Sequence, residues 1–314
     1  MEYNFSFSLT QLKYIVAVDQ HQHFSKAAKA CFVSQPSLSM QIQKLEEHLG
    51  IAIFDREKNP IQTTDIGKLV VQQARVILRE AAGIETLVNH ANDLYIGELR
   101  IGILPTLGPY ILPLVAKSFT KKYPQIAIRV HELTTANIID QIKNDQLDAG
   151  IIATDETKEK LLTSYLFEEK FINFISSTYH LAAKQAIKRE DLNLDDMWLL
   201  NEGHCFRDQV LNVCRTAPDM NIALGARQPY FDSGYFETLI RLVENAGGMT
   251  LLPELAMLFL TDEQQRLIRP FDGEAPGRLV RLIQPKSFLK QHLIQAFVDV
   301  LKAQLKPHLE TVYP

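Results

Sequence analysis

The chain has 314 residues, of which 46% are hydrophobic and 22% charged, values typical of a globular protein with about two domains. Its formal net charge of −4 excludes a generally basic surface, so any binding of nucleic acid must depend on a local element. Three cysteines without a CxxC pair exclude a disulfide framework and argue against a zinc site.

The sequence has no pattern of a targeting or membrane-spanning segment. Residues 1–10 lack a basic start followed by a long apolar run. No window contains the ~18 consecutive apolar residues that a spanning helix needs. We therefore expect a cytoplasmic protein with no membrane partner, no metal and no cofactor.

Residues 1–64 predict three helices and a small ribbon of strands. Apolar spacing indicates the first helix, Ser25 is placed to cap a second, and Ser34 is placed to cap a third that ends at Gly50. A strand at 51–54 and its return at 60–63 complete the pattern of a winged helix-turn-helix. A three-helix bundle with a polar face, unrelated to DNA, is the alternative.

In such a motif the third helix would present its first residues to base edges in the major groove of DNA. Short hydroxyls and amides suit bases or phosphates, and Gln35 could read an adenine edge. Arg56, at the predicted wing tip, would meet backbone phosphate. The candidate DNA-binding residues are Ser34, Gln35, Pro36, Ser37, Ser39, Gln43, Lys44 and Arg56.

Residues 65–95 predict a long linker helix that Thr64 can cap. Apolar residues from Val70 to Ala91 recur every three or four positions, which makes a narrow seam flanked by charge. We expect the seam to pair with a second copy of the chain, since little else nearby could cover it. The alternative is a helix lying on its own domain.

Residues 96–314 alternate strands and helices, which predicts an α/β effector domain. Two lobes with a cleft between them, similar to periplasmic binding proteins, account best for the pattern. The predicted strands are 99–103, 126–130, 148–153 and 279–283, the helices are 111–123, 137–144 and 293–305, and a second similar unit occupies 171–253.

One cluster in this domain could carry redox chemistry. Cys205 stands beside His204 and near Arg207, just before a helix that we expect to begin at Asp208. Positive charge and a helix N-terminus favour the reactive thiolate, whose sulfenic acid could condense with Cys214. The alternative is that both cysteines are small buried hydrophobic residues.

The spacing of the two cysteines has a geometric consequence. They are nine positions apart, so a continuous helix would separate their Cα atoms by about 13 Å. A disulfide needs roughly 4.4–6.8 Å. Forming the bond would therefore unwind or bend the helix, which is how oxidation could become a change of shape.

Several motifs resemble LysR-type transcriptional regulators over the whole chain, namely Phe24–Ala28, Val33–Ser39, Ile42–Glu46, Leu49–Ile51 and Phe54–Arg56. The resemblance implies a regulator of transcription that binds double-stranded promoter DNA and works with RNA polymerase. It also implies a dimer formed through the linker helix, usually assembled into a homotetramer, and a signal sensed in the C-terminal domain.

A narrower resemblance, to the hydrogen-peroxide sensors of that family, is carried by Gly203–Gln209 with Cys214, and by Pro105–Tyr110, His131–Glu132 and Thr250–Pro253. It implies that Cys205 reacts with peroxide and that Cys214 closes a reversible disulfide, which a thioredoxin or glutaredoxin reduces. The implied peroxide pocket comprises Thr106, Thr135, His204, Arg207 and Asp208.

The chain departs from those sensors at two positions. Gln284 stands where many have an arginine, and Tyr230 where the pocket has a further histidine. Two other functions stay open: a LysR-type regulator that binds a small metabolite between the lobes, and a thiol peroxidase. We expect a regulator rather than an enzyme, because a peroxidase has no use for the DNA-reading segment or the linker seam.

Overall fold

The computed structural model describes residues 7–91, 95–155, 161–214, 234–286 and 290–313. The chain divides into two compact units, Met1–Leu94 and Tyr95–Pro314. Among the described residues, no helix is long and apolar enough to cross a membrane. Tyr230 lies outside the described residues.

The first unit is a winged helix-turn-helix, as predicted. Its helices are α1 (Leu9–His21), α2 (Phe24–Ala30), α3 (Gln35–Leu49) and α4 (Asp65–Ala91), and its antiparallel ribbon is β1 (Phe54–Asp55) with β2 (Gln62–Thr63). The buried core between the helices contains Ile15, Val18, Ala27, Leu38, Ile42 and Leu45. Apolar residues spaced three and four apart therefore place one face of each short helix in a shared core.

Most of the predicted caps are confirmed. The Ser34 hydroxyl accepts from the N–H of Ser37 at 3.3 Å, and the Thr64 hydroxyl accepts from the N–H of Gly67 at 3.0 Å. Gly50 ends α3 in the left-handed conformation, with φ of 68°. The predicted cap at Ser25 is wrong: the helix begins two residues earlier, at Phe24, and Nδ1 of its cap His23 accepts from the N–H of Ser25 at 3.1 Å.

The first strand of the wing is shorter than predicted. Strand β1 contains only Phe54 and Asp55, whereas the sequence predicted a strand from Ile51. The carboxylate of Glu46 accepts from the N–H groups of Ile53 at 2.7 Å and Phe54 at 3.1 Å. Both N–H groups donate to a side chain of α3, so they do not lengthen the antiparallel ribbon of β1 and β2.

Helix α4 is partly covered by its own domain. Val71 and Ala74 are buried in the core of the first unit, and Val70 and Ile77 pack against it. The expectation that little else nearby could cover the seam is therefore wrong for its first half. Further along, the side chain of Ile84 is 66% exposed.

The second unit is built on one mixed sheet with the strand order β4-β3-β5-β9-β6-β7, and β8 also pairs with β6. The strands are β3 (Gly97–Ile103), β4 (Ile126–Glu132), β5 (Ala149–Ile152), β6 (Leu161–Ile175), β7 (Met249–Pro253), β8 (Ile268–Arg269) and β9 (Gly277–Pro285). The helices are α5 (Gly108–Lys122), α6 (Thr135–Lys143), α7 (Cys205–Cys214), α8 (Phe236–Ala246), α9 (Asp262–Gln265) and α10 (Gln291–Leu305).

The long strand β6 joins two lobes. Its first part pairs antiparallel with β9 beside the parallel strands β3, β4 and β5, and its last part pairs antiparallel with β7 and β8. The predicted second unit at 171–253 is therefore not a copy of the first, because its described strands are antiparallel. The two-lobed α/β architecture itself is confirmed.

Candidate functional site

The first candidate site is the exposed surface at the start of α3. Ser34, Gln35, Pro36, Gln43 and Lys44 are exposed, whereas Ser37 and Ser39 are half-buried. Three of these side chains already have partners: the Ser34 hydroxyl caps the helix, Oε1 of Gln35 accepts from the Ser25 hydroxyl, and Nε2 of Gln43 donates to Glu47 at 2.9 Å. The surface carries amide and hydroxyl groups together with one lysine, so its chemistry suits contacts to bases and phosphates.

Arg56 directly follows β1, in the loop that joins the two strands of the wing. Its Nη2 lies 2.8 Å from Oε2 of Glu46, and its guanidinium carbon lies 5.2 Å from the ring centroid of Phe24. Glu46 therefore neutralises part of the positive charge of Arg56, which we expected to contact a DNA phosphate. That contact stays a prediction.

The second candidate site surrounds the thiol of Cys205. Helix α7 begins at Cys205, three residues earlier than predicted, and ends at Cys214. Arg278 in β9 and the side chain of Thr135, at the start of α6, are near enough to Cys205 to lower the pKa of its thiol, and the buried Thr135 hydroxyl has no other hydrogen-bond partner among the described residues. The structure thus brings two candidate residues, Cys205 and Thr135, together with an arginine that the sequence reasoning missed.

The protonation of Cys205 differs from the expectation. Burial raises the pKa of its thiol, and this effect outweighs Arg278, the Thr135 hydroxyl and the N–H of Phe206, which all lower the pKa. Asp208 raises the pKa further through its negative charge. The expected bias toward thiolate is therefore wrong in this reduced conformation, because a partly desolvated sulfur favours its neutral form.

Arg278 stands at the centre of the buried network beside Cys205. Its Nε and Nη2 both lie 2.8 Å from Oε2 of Glu169, and both side chains are completely buried. Its Nη1 donates to the Thr106 hydroxyl at 3.0 Å and its Nη2 to the Thr106 carbonyl at 2.9 Å. The guanidinium carbon lies 5.0 Å from the ring centroid of Phe206, the residue after Cys205.

The other residues of the implied pocket have separate contacts. Arg207 is buried, and its Nη1 donates to the carbonyl of Leu200 at 2.9 Å, so it holds the segment before α7. Asp208 is exposed, and its charge affects Cys205. His204 lies against Gly234, where an added Cβ would be 3.0 Å from Nε2 of the histidine.

Gln284 lies near the end of β9. Its Oε1 is buried and has no hydrogen-bond partner among the described residues. An amide there supplies no charge, so the buried cation beside the thiol comes from Arg278, at the start of the same strand. The residues of β9 after Arg278 are mostly apolar. A charged residue at the start of such a strand was the signal by which the sequence could have pointed to Arg278.

Cys214 occupies a different environment at the far end of α7. Its Sγ lies 3.9 Å from Sδ of Met197, and burial raises the pKa of its thiol to about 11. Both cysteines are free thiols. Since the helix between them is continuous, their Cα atoms are separated by about 13 Å, too far for a disulfide.

Comparison with known proteins decides the family. Residues 9–68 match the model of the bacterial regulatory helix-turn-helix protein of the lysR family, and residues 92–306 match the LysR substrate binding domain. The chain belongs to the LysR family of transcription regulators. A relative from Haemophilus influenzae, called hydrogen peroxide-inducible genes activator, is 32% identical over 95% of this chain and 98% of its own length.

Two solved structures resemble this LysR-family chain over most of its length. A full-length cysteine-to-aspartate variant of OxyR from Pseudomonas aeruginosa has a TM-score of 0.78 and 33% identity, and the match covers 94% of this chain and 98% of that one. A cysteine-to-serine variant of OxyR from Corynebacterium glutamicum with hydrogen peroxide bound has a TM-score of 0.62 and 25% identity, covering 98% and 96%.

Proposed function

We propose that this LysR-family regulator senses hydrogen peroxide through a reversible disulfide between Cys205 and Cys214. The observation that carries the proposal is the position of two free thiols at opposite ends of one helix, the first beside Arg278 and Thr135. The relatives named for peroxide induction and the peroxide-bound structure add support. Thr106, Thr135, His204, Arg207 and Asp208 would line the peroxide pocket.

The proposed chemistry has two steps. The thiolate of Cys205 attacks one peroxide oxygen, the O–O bond breaks, and the other oxygen leaves as hydroxide, which takes a proton to become water. Cys214 then attacks the sulfur of the sulfenic acid, the S–O bond breaks, and a second water leaves as the disulfide forms. A dithiol of the thioredoxin or glutaredoxin type would return both cysteines to thiols by exchange.

Closure of the disulfide must dismantle contacts that hold α7. The Cα atoms have to approach from about 13 Å to less than about 7 Å, so helical turns must open. The hydrogen bond from Nε2 of Gln209 to the Ala153 carbonyl, at 2.6 Å, ties the middle of α7 to the end of β5. Oxidation would thereby alter contacts between the lobes and, with them, the arrangement of the DNA-binding units.

In the proposed assembly, each of three segments of the chain has its own task. We assign residues 1–64 to DNA binding, 65–95 to dimerisation and 96–314 to redox sensing. Two dimers would form a tetramer on promoter DNA and act with RNA polymerase. The exposed side chain of Ile84, in the seam, supports pairing through α4.

A thiol count combined with a DNA footprint tests the proposal. Full-length wild type, Cys205→Ser, Cys214→Ser and Cys31→Ser are treated with one equivalent of peroxide and bound to DNA that the reduced protein selects from a random pool. Cys31 is the matched control, because it lies buried in the other unit. Wild type and Cys31→Ser should lose two thiols and change footprint.

The two remaining variants separate the steps. Cys205→Ser should bind DNA without responding to peroxide, and Cys214→Ser should accumulate a sulfenic acid that dimedone traps. A normal response from Cys205→Ser, or no rapid loss of thiols in wild type, would overturn the proposal. The second result is what a metabolite-responsive regulator would give, whereas a thiol peroxidase would consume many equivalents of peroxide when a reductant is present.

A further inference from the structure

We infer that Glu169 restrains the reactivity of Cys205 by neutralising Arg278, and that removing its charge makes the sensor more sensitive to peroxide. Glu169 touches neither the peroxide nor the sulfur in this scheme, so it is a positioning residue that acts through Arg278. The inference rests on the proposed function, because it concerns the rate of the same reaction.

The geometry commits Arg278 to Glu169. Two of its nitrogens lie 2.8 Å from a single carboxylate oxygen, and neither side chain is exposed to solvent. The other carboxylate oxygen, Oε1, accepts from the N–H of Leu255 at 3.2 Å. Glu169 and Arg278 also face each other as a register pair of β6 and β9, so the strands fix their separation.

The guanidinium of Arg278 favours the ionised form of Glu169. Burial raises the pKa of Glu169, and Arg278 and the N–H of Leu255 offset only part of that shift. An arginine stays protonated at any ordinary pH, so a neutral Glu169 would leave a completely buried cation without a counter-charge. An ionised carboxylate 2.8 Å from the guanidinium opposes the positive potential of Arg278 at the Cys205 sulfur.

Without the carboxylate of Glu169, the positive potential of Arg278 would act strongly on the Cys205 sulfur. The guanidinium lies against the ring of Phe206, immediately after Cys205, and Coulomb interactions are strong where water is excluded. The thiol is nevertheless biased toward its neutral form, as its raised pKa indicates. Burial is the main cause of that bias, and a carboxylate bound to the arginine would add to it by opposing the positive charge beside the thiol.

Other charged and titratable groups around the pair do not replace Glu169. Asp208 raises the pKa of Cys205 from its own helix, but it is exposed and screened by water. Tyr110 from α5 is buried beside Glu169 and Arg278, and its raised pKa keeps it neutral. The groups facing Cys205 or the pair are Thr106, Tyr110, Thr135, Glu169, Asp208, Glu254 and Arg278, and Glu237 faces Tyr110.

The test measures the pH dependence of alkylation of Cys205 in full-length protein that carries Cys31→Ser and Cys214→Ser, so that one thiol remains. Into this background are placed Glu169→Gln, Arg278→Gln, Arg278→Lys and the control Glu168→Gln. Glu168 precedes Glu169 on β6, is exposed, and points to the opposite face of the sheet. Thermal unfolding and DNA binding show whether each variant is folded.

Glu169→Gln should lower the alkylation midpoint by about one pH unit, which increases the thiolate fraction near neutral pH about tenfold. Sulfenic acid formation should accelerate about threefold, because a less basic thiolate is also a weaker nucleophile. Arg278→Gln should shift the midpoint in the opposite direction, Arg278→Lys should restore much of it, and Glu168→Gln should leave it unchanged. If Glu169→Gln does not fold, Glu169→Asp should move the midpoint in the same direction by less.

Opposite shifts separate an electrostatic role from a structural one. If the pair only held the lobes together, Glu169→Gln and Arg278→Gln would both loosen the site and move the midpoint the same way. That result, or an unchanged midpoint in folded Glu169→Gln, overturns the inference. The proposed function is judged separately by the disulfide of wild-type protein, so either idea can fail while the other stands.

Discussion

The side-chain amide of Gln209 donates to the carbonyl of Ala153 at 2.6 Å, so the middle of α7 is bonded to the chain just after β5. The other amide atom, Oε1 of Gln209, is buried without a hydrogen-bond partner among the described residues. The contact therefore holds the helix in place but leaves one polar atom unsatisfied. This hydrogen bond must break if α7 opens to bring the two thiols together, as the proposed function requires.

Gln209→Ala should favour disulfide formation. Losing one net hydrogen bond of about 0.5–1.5 kcal/mol should increase the population of opened α7 about two- to tenfold. Conversion of the Cys205 sulfenic acid to the disulfide, followed by rapid quench and mass spectrometry, should accelerate by a similar factor. Sulfenic acid formation itself should be unchanged, and a slower conversion would contradict the role given to this contact.

The reaction with peroxide should depend steeply on pH. Because the pKa of Cys205 is raised above its ordinary value of 9.0, thiolate is scarce at neutral pH, and its fraction grows about tenfold per pH unit. The rate of sulfenic acid formation in Cys214→Ser should therefore climb from pH 6 to pH 8, and a plateau near neutral pH would contradict the raised pKa. Stopped-flow measurements at several peroxide concentrations give this rate.

Alkaline pH should destabilise the second unit through Cys214. Its folded-state pKa of about 11 exceeds the ordinary value of 9.0, so the unfolded chain loses this proton first as pH rises. The contribution is fully present below about pH 9 and is lost as pH approaches about 11. Cys214→Ala should unfold with a flatter pH dependence in that interval, in denaturant titrations compared with wild type and with Cys31→Ser.

The sequence predicted well those features that depend on nearby residues. The caps at Ser34 and Thr64 and the helix end at Gly50 each involve partners within a few positions, so local chemistry specified them. The second cap failed because His23 and Ser25 are both competent, and only the position of α2 in the bundle selects the histidine.

The network around Cys205 could not be predicted from the residues that are its neighbours in the sequence. Glu169 and Arg278 are 109 positions apart and meet only because β6 and β9 pair in one register. The protonation of the thiol likewise depends on burial by both lobes, whereas neighbouring residues alone suggested a thiolate. Antiparallel pairing in the second lobe escaped prediction for the same reason, since pairing is a long-range property.

Phe32 should contribute to DNA binding. It follows α2, just before the cap of α3, and its side chain is 94% exposed in the left-handed conformation, with φ of 58°. A bulky residue rarely adopts this conformation, and there it stands beside the surface that would enter the groove. Phe32→Ser should weaken DNA binding several-fold through lost apolar contact, without lowering thermal stability.

The salt dependence of binding distinguishes this contact from a charged one. Phe32→Ser should shift the affinity for DNA by a constant factor at every salt concentration, because no counterion is released. Lys44→Gln should instead reduce the slope of affinity against salt by about one unit if Lys44 meets a phosphate. Equal DNA affinities of wild type and Phe32→Ser, measured by fluorescence anisotropy, would exclude Phe32 from the interface.

Dimerisation through α4 should depend on Ile84. This side chain continues the seam that begins at Val70 and is 66% exposed, so it is available to pack against a second copy of the chain. Ile84→Lys would place a charge in an apolar interface, and its desolvation should weaken association at least tenfold.

The matched control for Ile84→Lys is Leu69→Lys, because Leu69 is 62% exposed but lies off the seam. Sedimentation velocity should show Ile84→Lys dissociating at concentrations where wild type and Leu69→Lys remain associated. Equal association of all three proteins would remove α4 from the interface.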